Sequence, residues 1–134
     1  MRTLPKIAIL AALLTAAAAA AGHGEMEALR GQLVAADSPD TIAFKTEAGK
    51  VVELAVEGDD FQMFQDPKLQ DRQWEMEGQM VDEGRFDPAH IFTLHDGQRH
   101  KVTYYCEVCH IVSYRPGRCM CCQDEVALQE TPVE

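Results

Sequence analysis

From Leu29 onward apolar and polar residues alternate with a period of two, the pattern of half-buried strands rather than helices. Leu29, Gly31 and Leu33 alternate with Arg30 and Gln32. Asp37-Ser38-Pro39-Asp40 is a turn signal. Ile42 and Phe44 then alternate with Thr41, Ala43 and Lys45, and Val52, Leu54 and Val56 follow around Glu53. These two runs read as a hairpin whose loop is Glu47–Lys50, with Gly49 turning the chain. Between Glu57 and Asp71 the alternation breaks. Asp59 or Asp60 can cap a short helix carrying Phe61 and Phe64, which Pro67 keeps brief. The clearest strand is Arg72 to Val81. Trp74, Met76, Gly78 and Met80 fall on one face, and Gln73, Glu75, Glu77 and Gln79 on the other. Asp82-Glu83-Gly84 turns, Ile91–Leu94 is a further strand, and His95-Asp96-Gly97 is a hairpin turn into a strand at Arg99–Tyr105.

Three strands, a short helical connection and two or three more strands make a mainly β fold. An OB-like barrel has this layout, with its helix after the third strand. The expectation is a small OB-like barrel or sandwich of about five to six strands over residues 28–103, followed by a cysteine-rich hairpin over 104–130 and a tail at 131–134.

The N-terminus is of another kind. Arg2 and Lys6 precede an apolar core at Ile7–Leu14 and an alanine run at Ala16–Ala21, the three parts of a secretory signal peptide. The apolar run of about 15 residues falls short of the ~20 that span a bilayer. Residues 1–21 therefore read as a cleaved leader, 22–27 as a flexible N-terminus, and the protein as exported to a periplasm or the extracellular space, with no membrane span after cleavage. No Cys lies near the cleavage region to accept a lipid.

The 134 residues hold 22 acids against 12 Lys and Arg, a formal charge of −10. Loss of the leader removes Arg2 and Lys6 and no acid. Such a chain lacks the basic footprint that neutralises phosphates, and its best strand face carries Glu75 and Glu77, so nucleic acid is not the expected partner.

All five cysteines lie near the C-terminus: Cys106, Cys109, Cys119, Cys121 and Cys122. Two C-x-x-C pairs, Cys106/Cys109 and Cys119/Cys122, have metal-site spacing. Each pair brings two sulfurs to one side of a tight knuckle, and two facing knuckles supply a thiolate tetrahedron. Pro116-Gly117 turns the chain to deliver Cys119. Cys121 is the spare thiol, able to replace Cys119 or Cys122 or to stay a soft hydrophobe. Arg99, Lys101, Arg115 and Arg118 against Glu107 make the stretch locally basic, which favours thiolates.

The segment Tyr105-Cys106-Glu-Val-Cys109-His110 … Arg115-Pro116-Gly117-Arg118-Cys119-Met-Cys-Cys122 resembles a zinc-ribbon or rubredoxin-like knuckle pair. It also resembles the small heavy-metal-binding module, matching it at Cys106 and at Pro116-Gly117-x-Cys119-x-x-Cys122. It departs in lacking a proline after the first Cys of each knuckle and in having Gln123 in place of the usual Gly. The resemblance covers residues 104–128 or so and implies metal binding.

Two other readings use the same atoms. Cys106-Glu-Val-Cys109-His110 is a C-x-x-C-H sequence, the attachment signature of c-type haem, with His110 as proximal ligand. Disulfides are the third, favoured by export, though five thiols leave one unpaired. His90, His95 and His100 flank the last hairpin and can extend a metal site. Asp59-Asp60 and Asp82-Glu83 sit in turn segments where acids are ordinary. The reading that results is an exported, small metal-binding protein with no catalytic residue assigned. Cys106, Cys109, Cys119 and Cys122 hold a structural zinc, and the β-domain binds an unknown protein or small-molecule partner. Its rivals are an electron carrier with haem c or rubredoxin-like iron, and a protein that buffers or delivers copper or zinc.

Overall fold

The computed structural model describes residues 25–134; the leader reading at 1–21 lies outside them. Half of the described residues are strand and 9% are helix. The strands are β1 (Glu27–Val34), β2 (Ala43–Thr46), β3 (Val51–Leu54), β4 (Gln73–Met80), β5 (Arg85–His95), β6 (Gln98–Cys106), β7 (Ile111–Ser113) and β8 (Ala127–Pro132). Between β3 and β4 lie helix α1 (Gly58–Phe64) and a 3-10 turn at Pro67–Leu69. The helix thus falls after the third strand, and the β2–β3 loop spans residues 47–50, as the alternation predicts. The eight strands form one mainly antiparallel sheet.

β1 pairs with both β2 and β4, β4 with β5 and β2 with β3. A short parallel contact, Glu53 with Arg85 and Leu54 with Phe86, joins β3 to β5. The pairings β1–β2–β3–β5–β4–β1 therefore return to their start, so these five strands form a closed ring of pairings. Beyond this ring β6 pairs with β5, β7 and β8.

Two glycines permit the bending. Gly31 pairs with Thr46 on one side and Trp74 on the other, and a Cβ there would stand 1.9 Å from the Lys45 carbonyl oxygen. Gly78 sits where the β4–β5 register shifts, opposite Pro88, and a Cβ there would stand 2.1 Å from the Asp87 carbonyl oxygen. A bulge tolerates a proline that offers no N–H to the ladder. This is why β5 begins at Arg85 and not near Ile91.

Inside lies a single core of Ile42, Phe44, Val52, Leu54, Trp74, Met76 and Phe86, with Met63, Phe64 and Leu69 from the helical connection. It continues without a break through Val102, Tyr104 and Cys106 of β6 to Cys119 and Val126. Glu57 holds the N-cap position of α1 without a side-chain bond to the helix, and Asp59 and Asp60 lie in the first turn and not at the cap. Asp66 caps the 3-10 turn instead, accepting from the Lys68 N–H at 3.0 Å, while its other oxygen accepts from the buried Tyr104 hydroxyl at 2.7 Å. Burial and this carboxylate together push the Tyr104 pKa up.

Polar clasps tie the strands on the outside. Glu75, on the face expected to be wet, is buried. It accepts from Arg30 at 3.0 Å and from Arg99, which also donates to Glu77 at 2.8 Å and lies over the Phe92 ring. Burial alone would raise the Glu75 carboxyl, but hydrogen bonds from Arg99 and Arg30 hold it below its ordinary value. Further along, Glu130 of β8 accepts from Arg72 at 3.1 Å and lies 2.8 Å from the His95 ring nitrogen. β8 runs past the expected 130 boundary, with Thr131 and Pro132 still paired to Lys101 and His100.

Replacing Gly31 or Gly78 by alanine should lower stability by roughly 2–3 kcal/mol, because each methyl meets backbone that cannot swing aside; chemical denaturation that finds either variant as stable as the native chain would contradict the close approach. Glu130 makes the second prediction. Burial raises its carboxyl, yet the Arg72 and His95 hydrogen bonds bring it down to about 2. A depressed carboxyl contributes stability that is complete above the ordinary value of 4.5 and fades as pH falls toward 2. Melting temperature followed from pH 6 downward should therefore drop less steeply in Glu130→Gln than in the native protein.

Candidate metal centre

The last turn of β6 and the two loops after it build the cysteine site. Cys106 is the final residue of β6 and is held by pairing with Ile111 of β7. The chain then makes a tight knuckle closed by the His110 N–H donating to the Cys106 carbonyl at 2.8 Å. The second knuckle repeats this: the Gln123 N–H donates to the Cys119 carbonyl at 3.1 Å. Gly117, at φ 114°, turns the chain into it. The hairpin around it is pinned where the Cys119 N–H meets the Asp124 carbonyl at 2.7 Å and the Val126 N–H meets the Gly117 carbonyl at 2.9 Å.

The two knuckles face one another. The sulfurs of Cys106, Cys109, Cys119 and Cys122 all lie within 4.8 Å of one another, and those of Cys106 and Cys122 are 3.5 Å apart. A tetrahedron with metal–sulfur bonds of about 2.3 Å has edges of about 3.8 Å, so the donor set fits one tetrahedral ion. Cys106 and Cys119 are buried, while Cys109 and Cys122 are partly exposed. Backbone N–H groups point at the sulfurs, from Cys109 to Cys106 at 3.4 Å and from Asp124 to Cys122 at 3.5 Å.

Crowding sets the thiols apart in acidity. Backbone hydrogen bonds from Cys122 and then Cys121 pull Cys119 down to about 7. Cys109 is pushed up to about 12, first by its hydrogen bond with Cys122 and then by burial. Four sulfurs at this distance cannot all ionise without a cation among them, and a cation that binds displaces their protons.

Cys121 is exposed and outside the group of four. His95 stands edge-on to His100 with ring centroids 4.5 Å apart, and neither these nor His90 joins the cysteines. Met76 is core and Met80 packs against it. Asp82 accepts from the Gly84 N–H in a local turn. His110 donates no side chain to the group of four; its Nδ1 lies 2.6 Å from the Tyr105 hydroxyl.

One feature of the knuckles escapes the spacing argument. The residue after each closing cysteine is left-handed, His110 at φ 57° and Gln123 at φ 64°. Glycine reaches this region without strain, whereas other residues pay about 1 kcal/mol or more. The Gln123-for-Gly departure noted in the sequence is the visible signal of it.

No protein-family model, curated protein or solved structure matches this chain.

Gln123→Gly should raise stability by about 0.5–1 kcal/mol through relief of the left-handed backbone, and Gln123→Val should lower it, since a β-branched side chain suits that region least. Thermal melting of the two variants beside the native metal-loaded protein checks this; a Gln123→Gly variant less stable than the native protein would show that the Gln123 amide bond to the Met120 carbonyl, 3.3 Å long, outweighs the strain.

Proposed function

We propose that this is an exported small protein whose C-terminal knuckles hold one structural zinc ion on Cys106, Cys109, Cys119 and Cys122, and whose barrel strands form a binding module for a protein or small-molecule partner. The observation that carries the reading is the convergence of the four sulfurs on one ion-sized space. Four thiolates close the coordination shell and leave no position for water, which favours a structural over a catalytic role. The ion would supply cross-linking to a segment that exposes Val108, Ile111, Val112 and Tyr114 and buries little of its own. The leader-like residues 1–21 support export.

The same geometry weighs against haem. Thioether attachment at Cys106 and Cys109 needs both sulfurs turned to a porphyrin. Here Cys106 is buried and both face the opposite knuckle. A rubredoxin-like iron fits the four sulfurs as well as zinc does, and colour tells them apart, since Zn²⁺ is spectroscopically silent.

Native mass spectrometry of protein exported to a periplasm should find one zinc, removed by denaturation, and none in Cys119→Ser. Chelation should increase amide exchange in β7 and the second knuckle before it reaches β1–β5. Colourless protein with no mass excess and four sulfurs oxidised would overturn the metal reading in favour of disulfides. A haem-sized excess surviving denaturation would make the protein an electron carrier.

A further inference from the structure

Nine large apolar side chains of the described residues are exposed, and five of them, Val108, Ile111, Val112, Tyr114 and Met120, lie between the first knuckle and the second. Apolar surface gathered in this way marks a place where another surface sits. Ile111 and Val112 are two of the three residues of β7. That strand pairs with β6 along one edge, from Tyr104 with Ser113 to Cys106 with Ile111. Its other edge carries no strand among the described residues. β8 also ends the sheet, but it holds the withdrawn carboxylate of Glu130 and closes on Pro132, two of the devices that keep a sheet edge from pairing. β7 has neither a charge nor a proline. The charges that flank it have opposite sign. The carboxylate before it is the exposed Glu107, and the guanidinium after it is Arg115, which Asp59 meets only at 3.9 Å.

We propose that β7 is the contact by which two copies of this chain pair, their β7 strands running antiparallel across a two-fold axis at Val112. The order of charges selects this occupant. A two-fold axis at Val112 sets Ile111 of each copy against Ser113 of the other. It carries Arg115 of each copy to the place of Cys109 in the other, two residues from Glu107. Both ends of the contact then match a cation with a carboxylate. Parallel strands would set Glu107 against Glu107 and Arg115 against Arg115, and like charges directly opposed are destabilising. The arrangement is isologous: one patch serves both copies, and the pairing closes at two. Three residues of ladder make a small interface, so the pair is weak and concentration-dependent rather than obligate. Nothing in this pairing requires an ion on the four sulfurs.

Sedimentation equilibrium of the full chain as exported, with a thiol-free reductant to exclude disulfide cross-links, tests this from about 1 µM to about 1 mM. The native mass should rise with concentration from one chain toward twice that value. Val112→Lys places two like charges against each other on the two-fold axis and should stay at one chain throughout. Val81→Lys adds the same charge to a valine of matching exposure far from β7, 51% against 52%, and should pair as the native protein does. Native protein that stays at one chain at every concentration would overturn the inference. So would Val112→Lys that still pairs at native strength, which would put the contact elsewhere, or equal loss in both variants, which would make added charge rather than its place the cause. Should Val112→Lys fail to fold, amide exchange in the native protein decides: exchange at Ile111–Ser113 slows as concentration rises if β7 pairs, and exchange there that ignores concentration rules the contact out.

Discussion

Four sulfurs meeting at the end of β6 is the constraint on which the C-terminal third of the molecule depends. Cys106 belongs to both structures that the strand serves. Its backbone ends the ladder to β7, its side chain closes the core begun by Phe44 and Trp74, and its sulfur faces Cys122 at 3.5 Å. The knuckles therefore do not hang from the ring of strands on a linker. They are continuous with its core through Tyr104, Cys106, Cys119 and Val126. A disturbance of the sulfur group reaches β6 directly, and from there β8 and the Glu130 clasp.

The polar side chains explain how a strongly acidic chain keeps such a sheet together. Three carboxylates are withdrawn from water, and each is met by donors from a distant segment. Asp66 receives Tyr104, Glu75 receives Arg30 and Arg99, and Glu130 receives Arg72 beside His95. Buried acids without partners would cost several kcal/mol each; partnered, they fix which strands lie side by side. Together the three clasps join the helical connection, β1, β4, β5, β6 and β8, so the ring of strands and its outer extension are held by the same set of contacts.

At the sulfur site, resident and exposed thiols are separated by a single turn. The backbone that aims N–H groups at Cys119 also turns Cys121 outward, and left-handed Gln123 sends the chain back into the Arg118–Glu125 bridge. A non-glycine residue in that conformation after both knuckles means that the fold, not local preference, sets the geometry. The stability needed for this comes from the core on one side and, in the proposed function, from the ion on the other.

Period-two alternation placed most of the strands and the position of the helix, because one wet and one dry face leave a direct imprint on residue order. Cysteine spacing named the four sulfurs that come together, since a C-x-x-C knuckle is a local structure. What the residue order left open lay in contacts between distant segments. The β3–β5 pairing that closes the ring involves two residue pairs far apart in sequence, and no local pattern encodes it. Glu75 reads as a wet-face acid and is buried only because Arg30 and Arg99 reach it from other strands. β8 has little alternation of its own and becomes a strand by pairing along β6. Strand identity and thiol chemistry are local properties of the chain; closure, burial of charge and the choice of which thiol stays outside are decided only when the segments pack.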